Sequence, residues 1–168
     1  MAIETVLVAV GDQDSDRIDR LTSTAVEIAD PLEATVIVAH VFPDEPASLP
    51  EGVLPIAGQH RPYVLSDAEY DEAVNPSAAD DDSVADATIR HEIVHEIVDR
   101  LEETGVDYET RGAVGEPGDA LVTLADEVDA DRVVVGGRQR SPTDKVVFGS
   151  VAQDVLLSSP CPVTFVRD

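Results

Sequence analysis

The chain has 168 residues, 43% of them hydrophobic, which suits one domain with one buried core and excludes global disorder. Its formal net charge is -24, with 11 Lys and Arg against 35 Asp and Glu. That balance excludes nonspecific binding to nucleic acid or to an anionic membrane, since both need a basic face. So acidic a surface repels itself unless salt screens it, and at 1 M salt the Debye length falls to about 3 Å. An acidic chain whose only lysine is Lys145 therefore reads as a protein of a salt-rich cytoplasm, that of a halophile.

One cysteine, Cys161, allows no intrachain disulfide and fits a reducing compartment. Set between Pro160 and Pro162, it reads as a small packing residue. No basic stretch followed by an apolar one opens the chain, and no apolar run approaches the roughly 18 residues of a membrane span. Neither a signal peptide nor a membrane helix is expected, and the expected location is the cytoplasm.

Thr5 to Val10, TVLVAV, is a continuous apolar run, the pattern of a strand buried on both faces. Gly11 and Asp12 turn it, and Asp14 to Asp16 offer caps and acidic first-turn residues for a helix. Ile18, Leu21, Ala25 and Ile28 then recur at helical spacing, and Pro31 marks the end. Ala34 to Val41 is a second buried strand, which makes a right-handed βαβ unit with the first. Residues 42–82 hold six of the eleven prolines and read as an acidic, mostly irregular insertion with a short helix near Ser66 to Ala73.

Ser83 caps a long helix running to about Thr104, with Ile93, Val94, Ile97, Val98 and Leu101 as its apolar stripe and Gly105 as its stop. Val106 to Arg111 is a third, more polar strand, placed at an edge. Gly115-Glu116-Pro117 opens a helix whose buried face is Leu121, Leu124, Ala125 and Val128. Arg132 to Val135 is the fourth strand, ended by a Gly136-Gly137 turn. Ser150 to Leu157 is the fourth helix, and Val163 to Val166 the fifth strand. This alternation gives one domain with a parallel sheet covered by helices on both faces.

Strand, glycines, polar loop and helix start follow one another from Val133 to Val151, the order in which α/β proteins build an anion site. Arg138, Arg140 and Lys145 fall within this loop on an otherwise anionic chain, which suits a phosphate. With strands in the order 3-2-1-4-5, the loop lies at the switch point between strands one and four, where open sheets bind ligands.

Taken together, VLVAV, AHVF, GEPGDALVTLADEVDADRVVVGG, and FGSVAQDVL followed by PCPVTFV resemble the universal stress protein family. The resemblance covers nearly the whole chain apart from the insertion. It implies a five-stranded parallel sheet in the order 3-2-1-4-5, of the Rossmann-like, adenine nucleotide alpha hydrolase-like class. It also implies a homodimer made through the last strand. ATP-binding members carry G-x2-G-x9-G followed by Ser or Thr after strand four. Gly136 matches the first glycine, and Gly149 and Ser150 match the closing pair, while Gln139 stands at the second glycine. Glutamine adds a side chain where glycine permits positive φ or close approach. Gly11 stands where such relatives have an aspartate, and Asp12 comes one residue late.

The implied site is as follows. Backbone N–H groups of Ser150 and Val151, with the Ser150 hydroxyl, take phosphate oxygens. Arg138 and Arg140 supply charge, with Gln139 between them and Ser141 beside them. Gly136, Gly137 and Gly149 allow close approach, and Ala9, Val10 and Val41 line the base. The ligand is ATP or an AMP-like nucleotide, with Mg²⁺ as its only metal. No base or nucleophile stands out, so slow ATP hydrolysis is the most activity expected. The alternative, favoured by Gln139 and Gly11, is a stress-family scaffold that binds no nucleotide and works through dimerisation and protein partners.

His91-Glu92-Ile93-Val94-His95 spells the HExxH of zinc proteases. On a helical wheel His95 lies about 40° and Glu92 about 100° from His91, while the apolar stripe centres near 270°. The periodicity explains this helix as sheet cover, and His40 and His60 both precede it, so no downstream histidine completes a zinc site.

Overall fold

The structure is a computed structural model that describes residues 2–11, 14–42, 63–64, 84–137 and 149–167. The apolar runs form the central strands, β1 (Thr5–Val10) and β2 (Thr35–Phe42). They are followed by β3 (Tyr63–Val64), β4 (Tyr108–Val114), β5 (Arg132–Gly137) and β6 (Val163–Arg167). The sheet order is β3-β4-β2-β1-β5-β6. Five strands are parallel, in the order expected, and β3 adds an antiparallel pair at the edge, Tyr63 with Val114 and Val64 with Ala113.

Helices α1 (Ile18–Ala29), α2 (Val84–Thr104), α3 (Pro117–Glu127) and α4 (Ser150–Ser158) cover the two faces. Val6, Val8 and Val10 of β1 pack with Val36 and Val38 of β2 under Leu21 of α1 and Ile97 and Leu101 of α2. Leu7 and Ala9 pack with Ile37, Ala39 and Val135 under Leu124 of α3 and Val155 of α4. Alternate residues of one strand thus feed two separate cores, which is why the strands read as unbroken apolar runs. Each fully buried leucine, such as Leu7, Leu21 or Leu124, contributes roughly 1.5–3 kcal/mol by leaving water.

Three expectations change. The polar edge strand begins at Tyr108 and continues past Arg111 to Val114, because β2 runs on to Phe42 and supplies partners for Gly112 to Val114. The stretch read as irregular returns Tyr63–Val64 to that edge; the helix expected near Ser66 to Ala73 lies outside the described residues. Gly136 and Gly137 do not turn: β5 runs through both, paired with Val166 and Arg167.

Helix ends follow local chemistry. A 3-10 turn with Pro31 closes α1, and Gly105, at φ +76°, ends α2 in a backbone that favours glycine. At the amino end of the sheet, Asp131 Oδ2 accepts the backbone N–H groups of Glu4 (2.8 Å) and Thr5 (3.1 Å), locking β1 beside β5.

Candidate functional site

The parallel ladder between β1 and β5 stops early. Its pairs are Val6 with Arg132, Leu7 with Val133 and Val8 with Val134, although β1 continues to Val10 and β5 to Gly137. Over the same stretch β1 stays paired to β2 as far as Val10 with His40, and β5 to β6 as far as Gly137 with Arg167. The two central strands therefore part at their carboxyl ends, at the switch point where such sheets take ligands.

On the α1 side the parting is filled from within. Arg17, 4% exposed, lies so close to β5 that a Cβ on Gly136 would stand 2.9 Å from its Cδ. Arg17 Nη1 pairs with Asp14 Oδ1 at 3.3 Å, and Asp14 Oδ2 accepts the Gly11 N–H at 2.7 Å. One buried pair thus ties the end of β1, the start of α1 and the end of β5. A buried charge needs such a partner, because leaving it alone costs several kcal/mol, on the order of 3–5. On β2, His40 is 1% exposed and its Nδ1 lies 2.9 Å from the Val10 carbonyl. A carbonyl only accepts, so Nδ1 carries the proton and donates it.

On the other face the walls are apolar. Ala9 is buried, and Val41 and Val151 are half-buried against the same cluster. Val10 turns away into the α1–α2 core, so its side chain does not share a surface with Ala9. Gly137 is covered by Phe165, whose ring carbons would lie 2.7 Å from an added Cβ. Both strand glycines thus serve close packing by side chains of the chain itself.

Among the described residues the start of α4 is open. Gly149 is the N-cap, extended at φ -61° and ψ 159°, and of the described side chains none caps it. A Cβ there would meet no described residue within 4 Å. Gln153 N–H bonds the Gly149 carbonyl at 3.0 Å, and the amides ahead of it have no partner within the helix. Arg138, Gln139, Arg140 and Ser141, together with Asp12 and Lys145, lie outside the described residues, and only the backbone of Ser150 is described.

Sequence reasoning named Ala9, Val41, Gly137, Gly149 and Val151, which the structure gathers toward one end of one face. It missed Arg17, Asp14 and His40. Asp14 was read only as a helix cap and Arg17 was given no role; their three-residue spacing was the available signal. A histidine in the apolar run ATVIVAHV was the signal for His40.

Of the HExxH residues, Glu92 and His95 are exposed, and the His91 side chain is outside the described set. Among the described residues no group of three or more His, Cys, Asp or Glu is placed to hold a metal ion. No helix among them is long and apolar enough to cross a membrane.

Comparison with known proteins agrees on one family. The model of the universal stress protein family matches residues 2–167. A universal stress protein of Mycolicibacterium smegmatis is 41% identical over 75 residues, which are 44% of this chain and 58% of that protein. The match thus spans little more than half the length of that relative. Among solved structures, the universal stress protein from Archaeoglobus fulgidus in complex with dAMP superposes at a TM-score of 0.60, with 28% identity and 98% of both chains covered. A universal stress protein in complex with cAMP gives 0.59 and 28%, covering 99% of this chain and 98% of that one.

Proposed function

Because the chain belongs to the universal stress protein family, we propose that it is a stress-response module that binds an adenine nucleotide where β1 and β5 part. The observation that carries this reading is the early end of the β1–β5 ladder at Val8 and Val134. It leaves a crevice between two strand ends, with apolar Ala9 and Val41 on one face and the uncapped start of α4 on the same side. A base lies against the apolar wall, and a phosphate takes the amides of Ser150 and Val151, which have no partner within the helix, at the positive end of the helix dipole. The dAMP and cAMP held by the two relatives are both monophosphates of adenine nucleosides. ATP is the longer ligand for which Arg138, Arg140 and Lys145 would supply charge, with Mg²⁺ accompanying it.

Calorimetry in molar salt with AMP, dAMP, cAMP and ATP tests this. We expect saturable binding of at least one monophosphate, weakened by Gly149→Val, which crowds the helix start. Silence with all four ligands would leave the second reading, a scaffold without nucleotide. One observation favours that reading: Arg17 and Phe165 already occupy the faces of Gly136 and Gly137.

The same reading places the protein in a salt-rich cytoplasm and makes it a homodimer through β6. Among the described residues β6 has a strand partner on one side only, and Leu156 and Leu157 of α4 are 38% and 77% exposed. Sedimentation in high salt, with Leu157→Glu as the disrupting variant, tests the dimer.

A further inference from the structure

Along β1 the residues that face α1 and α2 are Val6, Val8 and Val10, and in the β1–β2 register they stand beside Val36, Val38 and His40. Val6 and Val8 also have β5 on their other side, in register with Arg132 and Val134, whereas Val10 lies beyond the end of that ladder. The residue of β2 thus changes from valine to histidine at the point where β1 loses its second neighbour. An imidazole that is 1% exposed costs free energy to bury unless it is hydrogen-bonded. A third valine would have packed there without that cost. What the histidine adds is a donor, the Nδ1–H that lies 2.9 Å from the Val10 carbonyl.

The same peptide unit is held at its other end. Its N–H belongs to Gly11 and is donated to Asp14 Oδ2 at 2.7 Å, and Asp14 Oδ1 pairs with Arg17 Nη1 at 3.3 Å. The last peptide of β1 is therefore gripped by a β2 side chain at its carbonyl and by a side chain ahead of α1 at its amide. The carbonyl and N–H of a trans peptide point in opposite directions, so the two bonds together set the plane of the unit. His40, Asp14 and Arg17 each interact beyond these contacts as well. Side chains alternate across a strand. The residues next to the bonded pair, Ala9 on β1 and Val41 on β2, accordingly belong to the opposite face, where they form the apolar wall of the crevice. The bond from His40 to Val10 lies directly behind that wall.

We propose that His40 is a positioning residue of the crevice. By holding the Val10 carbonyl it keeps the end of β1 on β2 and away from β5, and so keeps Ala9 and Val41 set for a nucleotide base. Its side chain lies on the α1–α2 side, away from the wall, so it acts through β1 and not on the ligand. This role rests on the nucleotide-binding reading of the crevice and adds a residue to it.

Calorimetry with AMP, dAMP and cAMP in molar KCl, on the full chain and two variants, tests the role, with thermal unfolding measured on each. His40→Leu keeps most of the volume and removes the donor. His40→Asn keeps a side-chain N–H at the place of Nδ1 but leaves a void, so it should be the less stable of the two. Affinity for the monophosphate that wild type binds should run the other way. It should fall about fivefold in His40→Leu, the effect of one lost hydrogen bond, and stay within about twofold of wild type in His40→Asn. Carbonyl-carbon NMR supplies the matching signature: the Val10 resonance should move in His40→Leu and return toward wild type in His40→Asn. Affinities that track stability, or that are equal in wild type and both variants, would overturn the role while leaving the nucleotide reading in place. A wild-type chain that binds none of these monophosphates would remove that reading, and the role of His40 with it.

Discussion

At the amino end of β1 the carboxylate of Asp131 accepts two backbone amides, while at its carboxyl end the carboxylate of Asp14 accepts one and pairs with a buried arginine. The first arrangement holds β1 and β5 in register where they are laddered. The second stands where the ladder has stopped and the strands diverge. Backbone pairing closes one end; at the other, Arg17 at the N-cap of α1 and Leu21 within it fill one side of a gap, and among the described residues the opposite side is left to apolar walls and an open helix start. On the proposed reading, the parted end is where the fold keeps room for a ligand. The split end depends on a buried charge pair, and the laddered end does not.

The sharpest test of this contrast is Arg17→Ala. It removes one partner of a pair whose side chains are 5% and 14% exposed and leaves a void beside Asp14. A loss of about 3–5 kcal/mol is expected in denaturant unfolding. Arg17→Met, which keeps the volume, should recover only the packing part, and the double variant with Asp14→Ala should lose less than the sum. Additive losses would mean that the pair does not hold the crevice together. Asp131→Ala should cost less, about 1.5–3 kcal/mol, because it removes two charge-assisted amide bonds that remain reachable by water. It should leave nucleotide affinity unchanged, whereas Arg17→Ala should lower it. If Asp131→Ala weakened the ligand as much, the two ends would not be separable.

The fold was largely legible because its signals are local. Apolar runs at Thr5–Val10 and Ala34–Val41, and stripes such as Ile93, Ile97 and Leu101, each report burial from a short window. The crevice was legible only in outline. Gly136 and Gly137 stood out as glycines, but what fills the space beside them, Arg17 at the N-cap of α1 and Phe165 from β6, comes from residues distant in sequence. Nor could periodicity show that the β1–β5 ladder ends at Val8, since both strands continue. The insertion yielded least: Tyr63–Val64 is too short to give an alternation, and its strand character depends on the free edge of β4.

Gly137→Ala probes the other side of the split. Its new methyl would meet the Phe165 ring at 2.7 Å, and such overpacking costs about 1–3 kcal/mol. Phe165→Leu should relieve it in the double variant, giving a favourable coupling in thermal unfolding. Failure of that rescue would show that backbone strain, and not the ring, sets the cost.

The smallest expected effect lies at the edge of the laddered end. The Tyr108 hydroxyl donates to Glu102 Oε1 at 2.7 Å, joining β4 to the end of α2. That bond, with burial and the charges of Glu102 and Asp99, raises the phenol above its ordinary value of 10.0. The raised value means that the folded state holds the proton more tightly than the unfolded chain does. The bond's contribution is therefore complete below pH 10 and fades as pH climbs through the folded value. Tyr108→Phe should cost about 0.5–1 kcal/mol at neutral pH, as exposed hydrogen bonds do, and the difference from wild type should shrink in alkali. Ultraviolet titration should show a tyrosine ionising above the ordinary value of 10.0, and Tyr108→Phe should remove that step. A late tyrosine that survives the substitution would place the raised group elsewhere and remove this tie between β4 and α2.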